Sequence, residues 1–101
     1  MITIKMIDDG LTNGYIKIRE ESITSGIPVC QIGSYWFYFA TGDPDDHSMI
    51  NYLLNHTRRE VVNDIYDAMQ AIFEDDDVSF EYSYYEYYLK ERLKYDESDD
   101  V

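Results

Sequence analysis

Apolar side chains recur with two different periods along this chain. Ile2, Ile4 and Met6 alternate with Thr3 and Lys5, the period of two that marks a half-buried strand. The turn pairs Asp9-Gly10 and Asn13-Gly14 follow, and Tyr15, Ile16 and Ile18 then interleave with Lys17 and Arg19 as a second strand. Residues 27–32 and 35–40 are short apolar runs on either side of Gly33-Ser34, a dipeptide suited to a two-residue hairpin turn. Pro28 carries no amide hydrogen, so its strand should begin there or lie at an edge. The expectation for residues 1–40 is a four-stranded antiparallel meander.

Beyond a loop at 41–46 holding Gly42 and Pro44, the period lengthens. A short helix is expected over 48–55 with Met49, Tyr52, Leu53 and Leu54 turned inward. Thr57-Arg58-Arg59-Glu60 is a capping-box sequence, and the helix it opens should run to about Phe73. Its Val61, Ile65, Ala68, Met69 and Ile72 recur at spacings of three and four and make one apolar face. Asp75-Asp76-Asp77 should end it, because three acids at a helix C-terminus oppose the macrodipole. A last helix is expected over about 80–94, with Tyr82, Tyr85, Leu89 and Leu93 as its core stripe and Arg92 and Lys94 suited to its C-terminus. The fold class is therefore α+β: a four-stranded antiparallel sheet (about 1–40) packed against two or three helices (about 48–94). It forms one domain over 1–95, with an acidic, fraying tail at 96–101.

Charge changes the picture most. The 101 residues carry 8 Lys and Arg against 21 Asp and Glu, a net charge of −13. Residues 1–40 hold four acids and three bases, whereas 41–101 hold 17 acids and five bases. So large an excess makes nucleic acid an improbable direct ligand, because phosphates are bound through Lys and Arg, and it makes a basic protein surface the natural complement. Anionic lipid would repel the same surface, and no apolar run approaches the ~20 residues that span a bilayer. The only cysteine, Cys30, sits in an apolar run and reads as a core thiol in a reducing, cytoplasmic setting. Residues 1–7 lack the basic start and long apolar stretch of a secretory signal.

On the first long helix Glu60, Asp64, Asp67 and Glu74 cluster well away from the apolar face, and Asp75, Asp76 and Asp77 extend the row. Glu60, Asp64 and Asp67 rise about 5–6 Å apart along the axis, a spacing of the order of that between phosphates on one strand. The plain alternative is the solvated face of an amphipathic helix, although such faces usually intersperse both signs. On the last helix Tyr84, Tyr88 and Tyr95 share a side flanked by Glu81 and Glu91, a stripe of rings and carboxylates that could stack and pair with partner arginines. The same rings could instead pack on the sheet or on a second copy of the chain as a homodimer.

Little points to chemistry. His47 and His56 lack a metal-binding spacing, and the run Asp43, Asp45, Asp46, His47 lacks the glycine and terminal glutamate of an EF-hand. There is no nucleophile elbow and no glycine-rich phosphate loop. No metal, cofactor or catalytic residue is nominated, and the chain is read as a non-enzyme.

The −13 charge on 101 residues, the row Glu60, Asp64, Asp67, Glu74 to Asp77, and the Tyr/Glu helix ending in Asp96-Glu97-Ser98-Asp99-Asp100 together resemble the small acidic inhibitors of phages and mobile elements, the anti-restriction and anti-CRISPR proteins. The likeness is one of overall style and is nearest to inhibitors of type II CRISPR systems. It implies a protein of the bacterial host cytoplasm that blocks a guide-RNA or DNA site on a basic nuclease without catalysis. The partner-binding residues would be Glu60, Asp64, Asp67, Glu74, Asp75, Asp76, Asp77, Glu81, Tyr84, Tyr88, Glu91 and Tyr95. The other reading is a non-mimic interaction module, antitoxin-like or a regulatory subunit, that binds through the tyrosine-rich helix or a sheet edge.

Overall fold

The N-terminal segment folds as a helix, not as a strand. In the computed structural model, which describes residues 1–21, 26–40 and 48–94, helix α1 spans Ile4–Asn13. Thr3 caps it, its hydroxyl accepting the Met6 amide at 3.2 Å, and the left-handed Gly14 closes it with an amide directed to the Gly10 and Leu11 carbonyls. The alternation at 2–6 covers too few residues to outweigh the helical spacing of the next five. Met6, Ile7 and Gly10 are buried and Leu11 packs on the core, a spacing of one, three and one that only a helix puts on one side. Asp9-Gly10 is thus helix interior, and Asn13-Gly14 is a helix end. Gly10 is small for a reason: a Cβ there would stand 2.8 Å from the Ile16 side chain and 3.3 Å from Leu89.

Among the described residues the sheet has three strands rather than four. β1 (Ile16–Glu20), β2 (Pro28–Ile32) and β3 (Tyr35–Tyr38) form an antiparallel meander with β2 in the centre. Pro28 begins its strand. Ile32 pairs with Tyr35 across Gly33-Ser34, and Gly33 has φ 61°. Ser34 is not among the residues with positive φ, so the turn has glycine at its first central position, the type II′ pattern. Register places Ile16, Ile18, Cys30, Ile32, Tyr35 and Phe37 on the face toward the helices. Lys17, Arg19, Val29, Gln31, Trp36 and Tyr38 take the other face.

Three helices follow, so the chain has four in the described residues. α2 is Met49–Asn55, capped by Ser48; α3 is Arg58–Glu74; α4 is Ser79–Leu93. In seven residues α2 sends only Tyr52 into the core. Leu53 and Leu54, expected inside, are exposed, Leu54 by 78%. Two turns of helix lie on a surface along a single line, and Tyr52 occupies it. α3 has the full capping box: Thr57 accepts the Glu60 amide, and Glu60 Oε1 accepts the Thr57 amide at 2.8 Å. α3 and α4 are joined by the turn at 75–78 and pack together, burying Val61, Val62, Ile65 and Met69 from one and Tyr82, Tyr85 and Leu89 from the other. α4 lies under the sheet through Tyr85, whose ring centroid is 5.4 Å from that of Phe37. The result is a two-layer α+β arrangement whose core is the inner sheet face against α1, α3 and α4.

Candidate partner-binding face

Helix geometry separates α3 into two sides. With ~100° per residue, Val61, Val62, Ile65 and Met69 point to the core, and Glu60, Asp64, Asp67 and Glu74 fall within about 80° of one another on the far side. Glu60, Asp67, Glu74, Asp75, Asp76 and Asp77 are exposed, and Asp64 is half-buried. Among the described residues no lysine or arginine forms an ion pair with this side. The ion pairs among the described residues join Lys5 to Asp9, Arg58 to Asp8, and both Lys90 and the terminal amine of Met1 to Glu86. Every base in those pairs is directed to an acid outside the row.

Two members of the row also hold the fold. Asp64 accepts the Tyr52 hydroxyl at 2.5 Å and so ties α2 to α3. Glu60 closes the capping box, and the Thr57 amide it accepts keeps its carboxyl below the usual carboxylate range. The three aspartates of the turn have a mixed electrostatic setting. They oppose the dipole of α3 at its C-terminus but lie just before the N-terminus of α4, where negative charge is favourable. Val78 gives α4 no side-chain cap, and the acid in its first turn is Glu81. Asp75 further accepts the Asp77 amide at 2.9 Å within the turn.

The tyrosine stripe is placed differently from the acidic row. The Tyr84 hydroxyl accepts the Ser34 amide at 3.2 Å and lies against Gly33, and its ring meets Tyr35 edge-on at 4.9 Å. Tyr84 therefore braces the hairpin turn. Tyr88 is half-buried and already carries the Arg92 guanidinium 4.7 Å from its ring centroid, so a partner cation would have to displace it. Glu81 is half-buried and accepts the Tyr85 hydroxyl at 3.2 Å. Burial pushes the Tyr85 phenol well above its ordinary range, with the nearby Glu81 carboxylate adding to the effect. Glu91 is exposed. Tyr95, the tail at 96–101 and the loop with Asp43, Asp45, Asp46 and His47 lie outside the described residues. Tyr84 and Tyr88 thus gather at the turn end of the hairpin, whereas Asp64 and Asp67 lie beside Phe37 to Ala40 at its other end.

Sequence reasoning passed over several open aromatics. Trp36 is 44% and Tyr38 52% exposed, their rings edge-on at 5.5 Å on the outer sheet face, and Tyr87 is 67% exposed on α4. The signal was present in the alternation of Tyr35, Phe37 and Phe39 with Trp36 and Tyr38, which a reading of 35–40 as one apolar run hides. Cys30 lies wholly inside, and burial raises its thiol pKa far out of the reactive range. Among the described residues no three His, Cys, Asp or Glu side chains gather as a metal-holding group, and no helix is long and apolar enough to cross a membrane. No known family model, curated protein or solved structure matches the chain, so a functional reading rests on its residues alone.

Proposed function

We propose that this protein is an acidic inhibitor that binds a basic, nucleic-acid-binding surface of another protein, with a type II CRISPR nuclease as the foremost target, and competes there with guide RNA or DNA. The supporting observation is a set of exposed carboxylates, Glu60, Asp67 and Glu74 on one side of α3 and Asp75, Asp76 and Asp77 in the turn that follows, none of which joins the ion pairs formed among the described residues. Fixed negative charges on a helix arrive without the ordering cost of a flexible acidic chain, so their attraction for Lys and Arg is less offset by entropy. Binding by mass action suffices for such a role, and no group of this chain needs to react.

The test uses Asp67, Glu74 and Asp76, which are exposed and whose carboxylates are not tied to the fold as that of Asp64 is. Reversing Asp64 would remove the acceptor of the Tyr52 hydroxyl bond between α2 and α3 and confound binding with folding. The triple change Asp67→Lys, Glu74→Lys, Asp76→Lys should weaken inhibition of the nuclease at least about tenfold while leaving the circular dichroism spectrum intact. Complex formation should also fade steeply as salt rises. Full inhibition by the triple variant would leave the proposal without its carrier.

A further inference from the structure

The β3 strand has one edge against β2, and among the described residues no strand pairs with its other edge. In a hairpin with a two-residue turn the pair flanking the turn exchanges hydrogen bonds, and pairs then alternate. With Ile32 opposite Tyr35 and Cys30 opposite Phe37, it is Trp36 and Tyr38 whose N–H and C=O groups point outward. No backbone hydrogen bond to those outward groups is made among the described residues. The strand Tyr35–Tyr38 is also unguarded in composition, with no charge and no proline. The opposite edge differs: β1 carries Lys17, Arg19 and Glu20 and has α1 packed beside it.

Beside this outer edge runs a groove of about 560 Å3 between Phe37 to Ala40 and α3. Phe39, Ala68, Ala71 and Ile72 give it an apolar floor, and Asp67 and Asp75 stand along it. A strand added about 4.8 Å from β3 would direct alternate side chains into this groove and the others toward Trp36 and Tyr38. Lys or Arg side chains suit both directions. Inward, their methylene stems can cross the alanines and place the charge at Asp67 and Asp75; outward, they can lie on the exposed rings. A second copy of the chain is the poorer occupant, because two-fold pairing of β3 with β3 would bring two acidic α3 sides together on molecules of net charge −13.

We infer that the outer edge of β3 takes up an extended, basic segment of a partner protein by strand addition, with the groove and its aspartates reading the Lys and Arg side chains. This goes beyond the inhibitor reading, since it specifies backbone pairing and an extended ligand where that reading needs only a cationic surface.

Trp36 is the single tryptophan of the chain and lies in the edge strand, so its fluorescence reports on the site directly. The probe is a blocked six-residue peptide alternating arginine and valine. Its binding should shift Trp36 emission, and the same peptide N-methylated at every backbone nitrogen should bind at least about tenfold more weakly, because the charge is kept and only the pairing N–H groups are lost. Ala71→Lys, an exposed helix position, should weaken the parent peptide by a similar factor through repulsion in the groove. Equal affinity for the N-methylated peptide, or saturation without a change in Trp36 emission, would overturn strand addition while leaving the inhibitor reading standing. That reading is tested separately by the triple charge reversal against the nuclease. A dimer of the protein alone, seen by light scattering and dissociated by the parent peptide but not by its N-methylated form, would still support the edge as the docking element. A dimer unaffected by either peptide would overturn it.

Discussion

At the scale of single residues, Gly33 and Tyr85 carry the clearest consequences. Gly33 sits at φ 61° with the Tyr84 hydroxyl against it, so a methyl group there meets both a backbone region that L-residues avoid and an aromatic neighbour. Gly33→Ala should lower stability by at least about 1 kcal/mol in urea titration, and Tyr84→Phe in the same background should recover part of the loss by removing the hydroxyl. Tyr85 is buried between α4 and the sheet, and its phenol is held neutral by desolvation first and by Glu81 second. A raised pKa in the fold means that stability is whole below the ordinary tyrosine value of about 10 and drains away as pH rises through it, since the unfolded chain then ionises where the folded one cannot. Cys30 adds to this from a lower pH, because an exposed thiol ionises near 8.5. Alkaline unfolding followed by circular dichroism should therefore coincide with a late step in tyrosinate absorbance, and Tyr85→Phe should remove that step.

At the scale of elements, α3 is both scaffold and candidate surface. Its start depends on Thr57 and Glu60 together, so Thr57→Ala should destabilise the protein by ~1 kcal/mol. Glu60 and Glu86 are both held below the usual carboxylate range, the first by the Thr57 amide, the second by its bond to the Met1 amine and then by Lys90. Depressed values have the opposite sign to Tyr85: the stabilisation is present above the unfolded carboxylate value of about 4.3 and is lost as pH falls through the folded one. Glu60 is exposed and Glu86 only half-buried, so the effect is small and screened. Glu60→Gln keeps an acceptor for the cap, and its melting temperature should accordingly depend less on pH below about 4.5 than that of the parent. The turn between α3 and α4 shows why acidity there need not be a flaw. The same aspartates that disfavour the end of one helix favour the start of the next.

For the whole molecule, the net charge of −13 sets two responses of opposite sign. Salt screens the repulsion among carboxylates within the fold, so the melting temperature should rise by several degrees, on the order of 5 °C, between low ionic strength and about 0.5 M salt. The same screening should weaken a complex held by Lys and Arg of a partner. Measuring both on one sample separates an electrostatic interface from an apolar one, for which salt would leave affinity level or raise it.

Much of this could be read from the chain alone. The helices α3 and α4, the capping box, the Gly33-Ser34 hairpin, the strand start at Pro28 and the gathering of acids in the second half all follow from local rules that act within a few residues: side-chain period, cap chemistry and turn sterics. Tertiary packing decided the rest. Alternation over Ile2, Ile4 and Met6 suits a strand as well as the start of a helix, and only the burial of Met6 and Ile7, and of Gly10 against Ile16 and Leu89, selects α1. Leu54 stays outside because the short α2 has one line of contact and Tyr52 fills it. Tyr84 turns from a free ring into the brace of a hairpin because Gly33 leaves room for it. Asp64 is drawn half inside by a hydroxyl twelve residues away, while Asp67 one turn on remains in water. Charge and period are properties of the chain, but which charged or aromatic groups remain available to a partner depends on what the fold has already placed beside them.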